Sequence, residues 1–210
     1  MKRAGLFVGV LFATWFTMGA AFAIPTISLV PSSGTVSPSG SFFIDINISG
    51  LQSSGTDAVV GAFDLDLLYD PSLFSPVIAP PTGFGLLLGD ISLSEASGGI
   101  DASLPGTVSL FEVSLLTPAE LDALQDDSFT LATIGFMAIS AGGTSGVFST
   151  SDVIVSDDLG DPLSLASPTA TATVRIVAVP EPGMFLMLLV GAFGLLVVTQ
   201  RRFRRDPSLA

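Results

Sequence analysis

The sequence predicts an all-β protein: a sandwich of about nine short strands with one short helix, set between two terminal segments that carry export and membrane signals. Three observations predict it. Apolar residues recur at every second position in several separate runs, as in strands with one buried and one wet face. The 210 residues include 22 Gly and 14 Pro, while helix-favouring charged residues are few, which suits short strands joined by many turns. Charge is segregated: of seven basic residues only Arg175 lies between Ile24 and Val179, where all but two of the 19 acidic residues fall.

The first element is residues 1–23. Lys2 and Arg3 precede an apolar stretch over 4–16, and Ala21-Phe22-Ala23 is a small-x-small triplet. That order is a signal peptide cleaved after Ala23, so the mature chain starts at Ile24 and Trp15, the one tryptophan, is lost. A single domain then occupies 24–178.

Strands are expected at 26–30, 41–49, 63–69, 86–88, 107–115, 129–139, 146–150, 152–156 and 169–179. The clearest is 41–49, where Phe42, Ile44, Ile46 and Ile48 alternate with Ser41, Asp45, Asn47 and Ser49. In 63–69, Phe63, Leu65, Leu67 and Tyr69 point inward, and Asp64 and Asp66 point out. Thr117-Pro118-Ala119-Glu120 reads as a capping box with proline in the first helical position, flanked by Leu116 and Leu121 at staple spacing. It predicts a short helix over 118–125 that ends at Asp126-Asp127 and bridges two strands. Ser97-Gly98-Gly99 and Ala141-Gly142-Gly143 read as turns.

The last element, 179–210, opens with Val179-Pro180-Glu181-Pro182-Gly183. An uncharged apolar stretch follows, giving a short membrane-spanning helix over about 184–200, and then Arg201, Arg202, Phe203, Arg204 and Arg205. The arginines keep that end cytoplasmic and leave the domain outside. Proline-glutamate-proline, one short span and an arginine cluster, in that order, resemble the PEP-CTERM sorting signal. The resemblance implies processing by an exosortase, after signal peptidase has acted at the other end, in a Gram-negative bacterium that makes extracellular polysaccharide. The protein is then exported through the inner membrane and held there transiently by its C-terminal helix before release to the cell surface or beyond.

A second resemblance lies in the middle. VGAFDLDLLYDPSLF over 60–74, FTLATIGFMA over 129–138, the turn at Gly143-Thr144, Ser151-Asp152-Val153 and the acidic turn over 157–160 are similar, in order, to cohesin domains. This implies a jelly-roll sandwich and a protein-binding role, with a dockerin-like or other surface protein as partner.

Chemistry is sparse. The chain has no histidine and no cysteine, which removes the commonest general base, the commonest transition-metal ligand and any thiolate site. With no lysine between 24 and 179 and no Gly-x-Ser-x-Gly elbow, nothing activates a serine. Asp64 and Asp66, joined by Asp70 at even spacing, stand side by side on one strand rather than across a cleft, unlike a glycosidase pair. No catalytic residue is therefore expected. Asp157, Asp158 and Asp161 form a short acidic turn that offers oxygen ligands to calcium, or serves only as a hairpin turn. Glu120, Asp122, Asp126 and Asp127 surround the short helix, the first as its cap. The acidic surface repels phosphate backbones, so nucleic acid is excluded as a partner. A carbohydrate-binding module retained in exopolysaccharide is the alternative, weakened by the lack of tryptophan in the domain and by a single, inward-facing tyrosine, Tyr69.

Overall fold

A computed structural model describes residues 24–51, 58–178, 187–193 and 195. The signal peptide with Ala21 and Ala23, the Pro180-Glu181-Pro182 motif and Arg201, Arg202, Arg204 and Arg205 lie outside the described residues, as does most of the expected span. Residues 187–193 and 195 are helical and exposed, and among the described residues no helix is long and apolar enough to cross a membrane.

Two sheets face each other. The first holds β1 (Thr26–Pro31), β3 (Ser41–Ser49), β9 (Ser128–Ala138) and β5 (Phe74–Val77) in that order, with the two-residue β6 (Gly83–Phe84) also paired to β9. The second runs β2 (Thr35–Val36), β11 (Thr171–Ile176), β10 (Thr144–Ser156), β4 (Ala62–Leu68), β8 (Thr107–Ser114) and β7 (Ala96–Asp101). Neighbours are antiparallel except β2, which lies parallel to β11. Helix α1 (Pro118–Leu124) connects β8 to β9, one strand of each sheet.

The period-two runs fold as their pattern demands. In β3, Phe42, Ile44, Ile46 and Ile48 are buried and the residues between them are not; Leu65 and Leu67 of β4 join Ile44, Ile134 and Phe148 in one continuous core. One part of that core is aromatic. Phe136 stacks at 6.0 Å on Phe42 and meets Phe148 at 4.9 Å, Phe148 lies 5.0 Å from Phe74, and Tyr69 lies 5.2 Å from Phe136. These tilted and edge-on pairs add to the burial of large apolar area. Tyr69 faces inward, as its place in the alternation predicts.

Several elements differ from expectation. Residues 86–88 form a turn, closed by the Gly89 N–H on the Leu86 carbonyl at 3.2 Å, with Leu88 plugged into the core. The two strands expected at 146–150 and 152–156 are one strand, β10, interrupted by a bulge between Ser151 and Ile154 where Asp152 takes a φ of 50°. Glycine-rich 97–99 is the middle of β7 rather than a turn. Ladder hydrogen bonds to β8 outweigh the low strand preference of glycine there.

Candidate functional site

The outer surfaces of the two sheets differ in what their centres present. On the first sheet the centre of β3 and β9 is polar and bonded across the strands: the Thr130 hydroxyl donates to Asn47 Oδ1 at 2.7 Å, and the Thr133 hydroxyl to Asp45 Oδ1 at 2.6 Å, while Phe43 and Met137 lie toward one end of the same face. These hydroxyls are half-buried and already satisfied.

The outer face of the second sheet is apolar and open at its middle. Register places Gly99 of β7, Phe111 of β8, Asp64 of β4 and Ile154 of β10 in a single row across four strands. Phe111 is 49 % and Ile154 56 % exposed, well above what a strand residue facing a core shows. The Phe111 ring lies over Gly99, where an added Cβ would sit 2.9 Å from Cε1 and push the ring aside. Val113, on the same face of β8, is 45 % exposed. Two residues along β7, β8 and β4, roughly 7 Å away, and three along β10 because of its bulge, a second row holds Asp101, Ser109, Asp66 and Ser151. Here the Ser109 hydroxyl donates to Asp66 Oδ1 at 2.6 Å. Asp101 accepts the Ser103 N–H at 2.8 Å, and its bonds to Ser103 hold its carboxyl below the usual range, so it stays charged. Phe111 and Ile154 thus flank Asp64, beside a row that carries Asp66 and Asp101.

The other acidic residues singled out from sequence are placed separately. Asp70 is not part of this face; it sits in the turn after β4, accepting the N–H and hydroxyl of Ser72 at 2.9 and 2.6 Å, which lowers its pKa. Glu120 Oε2 accepts the N–H and hydroxyl of Thr117 at 2.8 and 2.7 Å, completing the expected helix start and lowering its pKa likewise. Asp157 closes a hairpin-like turn: its Oδ1 accepts the N–H groups of Leu159 and Asp161 at 2.9 and 2.8 Å, and Gly160 turns the chain with a φ of 86°. Asp158 and Asp161 do not converge with it, and among the described residues no group of three or more acidic, histidine or cysteine side chains is placed to hold a metal ion.

Three open grooves, of about 410, 330 and 300 Å³, are lined by apolar residues, serine, threonine and asparagine, with Tyr69 as their only titratable side chain. One carboxyl group is out of place. Glu112, between Phe111 and Val113, points inward with 0 % exposure, and neither carboxylate oxygen has a hydrogen-bond partner. Burial alone raises its pKa to about 8.

A two-sheet sandwich with a helix between β8 and β9 has close counterparts among solved structures. A cohesin module from a family 33 glycoside hydrolase of Clostridium perfringens superposes with a TM-score of 0.55 over 74 % of this chain and 97 % of its own, at 15 % identity. The fold is cohesin-like. A non-cellulosomal cohesin from the archaeon Archaeoglobus fulgidus covers 74 % of this chain and 93 % of its own at 14 % identity and a TM-score of 0.53. The sixth cohesin of Acetivibrio cellulolyticus scaffoldin B, solved in complex with the Cel5 dockerin, covers 72 % and 99 % at 14 % identity and a TM-score of 0.55. No family model and no curated protein matches the chain.

The alternation in β8 sets Phe111 and Val113 outward and Glu112 inward, a signal carried by the strand's own sequence. Ile154 was not legible, because the bulge at Asp152 reverses the alternation within β10.

Proposed function

We propose that this protein is an exported, non-catalytic module that binds another protein through the outer face of its six-stranded sheet. The row Phe111, Asp64 and Ile154 carries the reading: two large apolar side chains held open to solvent on either side of a carboxylate, beside Asp66 and Asp101, whereas the centre of the opposite face is occupied by side chains bonded to one another. Exposed aromatic and aliphatic groups of this kind supply the buried centre of an interface, and the carboxylates select the partner and speed its approach. The occupant is a dockerin-like segment whose apolar stripe is flanked by lysine or arginine. Net charge supports that chemistry, since Arg175 is the lone cation between Ile24 and Val179.

Export rests on the terminal segments: a signal peptide over 1–23, cleaved after Ala23, and a sorting tail over 179–210 whose Pro180-Glu181-Pro182 motif, apolar stretch and arginines Arg201, Arg202, Arg204 and Arg205 suit exosortase processing at a Gram-negative cell surface.

The test pairs affinity capture from the secreted proteins of the source cells with a glycan array. The expected result is one captured protein with a basic, apolar docking segment, retained by the wild type and lost with Phe111→Asp. Glycan binding that survives Phe111→Asp would replace this reading with the carbohydrate-binding one.

A further inference from the structure

Glu112 occupies an inward position that the alternation of β8 reserves for an apolar residue: Val108 and Leu110 on the same face are fully buried in the core. Its strand partners are Phe63 of β4 and Gly98 of β7. Neither offers a polar side chain. The Phe84 ring closes over Gly98, since a Cβ added there would lie 3.2 Å from Phe84 Cε2. Charged groups nearby are turned elsewhere: Asp64 of β4 and Asp101 of β7 lie on the outer face, and Glu95, just before β7, accepts the Asp90 N–H at 3.1 Å. Gln125 bonds Val60 and Leu87. Neither a charge nor a hydrogen bond contributes to the raised pKa of Glu112.

A carboxylate in such a place has no compensation, so the side chain must be held as the neutral acid or must reach water. One route to water is short. Glu112 sits one strand in from the sheet edge, and β7 covers it with a residue that has no side chain. β7 is fastened on one side only; Ala96 is its single buried side chain, and Ile100 packs half-buried against the core. Detaching it breaks one ladder and exposes Ala96 and part of Ile100, whereas moving β4 breaks two ladders in the middle of the sheet and uncovers the fully buried Leu65 and Leu67.

We propose that Glu112 is a protonation latch: as the neutral acid it lets β7 close on β8, and as the carboxylate it releases β7 and loosens the strand that carries Phe111 and Val113. The latch stands on the geometry around Glu112; its consequence for docking rests on the function proposed above. The chain offers little interference, because with no histidine and no cysteine only the α-amino group otherwise titrates ordinarily between about pH 5.5 and 9.

Hydrogen exchange followed by mass spectrometry on the protein at about pH 6.5 and about pH 9, corrected for intrinsic exchange, tests it without a partner. In the wild type, protection of 96–101 and 107–114 falls by about tenfold or more at the higher pH, while β1, β3 and β9 keep theirs; Glu112→Gln and Glu112→Met show no such fall. Unchanged wild-type protection, an equal loss in β9, or the same loss in both variants would overturn the latch. If β7 opens as expected but Phe111→Asp leaves partner binding intact, the docking reading fails and the latch stands.

Discussion

Replacing Glu112 by glutamine should flatten the pH dependence of stability. The sign follows from the direction of the shift: the carboxyl is raised from an ordinary 4.5 to about 8 in the folded protein, so between those values the native state holds a proton that the unfolded chain has released. Stability therefore falls as pH rises through that window, by about 1.4 kcal/mol per unit at most, and levels off above the native value. Integrated over the whole shift the wild type loses about 5 kcal/mol, of which about 2 kcal/mol falls between about pH 6 and 8. Equilibrium urea unfolding across that interval should show the wild-type midpoint dropping by about 1 M for a slope near 2 kcal/mol per M. Glu112→Gln keeps the shape and cannot ionise, so its midpoint should hold constant over the same range. A flat wild-type midpoint, or equal slopes in the two proteins, would refute the claim that this carboxyl is enclosed without a partner.

Other perturbations probe the frame that holds the two sheets together. Gln125 accepts the Val60 N–H at 2.7 Å and donates to the carbonyls of Val60 and Leu87 at 2.7 and 3.1 Å; Gln125→Leu leaves those backbone groups unsatisfied and should lower unfolding free energy by about 2 to 3 kcal/mol in denaturant titration. An added Cβ in Gly61→Ala would collide with the Asp157 carbonyl, which is backbone and cannot swing away, so thermal unfolding should shift down by several degrees, corresponding to about 1 to 3 kcal/mol. Phe136 is fully buried against Phe42, Tyr69 and Phe148; Phe136→Ala should cost about 3 to 5 kcal/mol, measured by the same titration.

The parts of the fold legible in the sequence were those in which one physical signal acts alone. In β3 the alternation of Phe42, Ile44, Ile46 and Ile48 with polar residues fixes both strand and buried face, and it was read to the residue. The helix start was equally plain, because Thr117, Pro118 and Glu120 each have one role there. Where signals compete, local pattern alone does not decide the outcome. Gly98 and Gly99 signal a turn locally, yet they form an edge strand because Phe84 and Phe111 cover them from the two faces, which is known only once strands β6 and β8 are in place. Leu86, Leu87 and Leu88 look like a buried strand, yet Leu86 is exposed, Leu87 packs half-buried against the core and Leu88 alone is fully buried. Of the candidate site, the acidic half was legible: Asp64 and Asp66 project together as their spacing requires. The apolar half depends on register between strands far apart in sequence, such as Phe111 and Ile154 flanking Asp64, and no local pattern encodes that.

The most direct measurement is the affinity of the purified partner for three forms of the protein by isothermal titration calorimetry: wild type, Phe111→Asp on the outer face of the six-stranded sheet, and Thr130→Asp on the outer face of the other. The account predicts a loss of about thirtyfold or more for Phe111→Asp, the effect of removing an anchor worth about 2 kcal/mol, with Thr130→Asp matching the wild type. Equal affinity for wild type and Phe111→Asp, with loss in Thr130→Asp, would place the interface on the opposite sheet and contradict it.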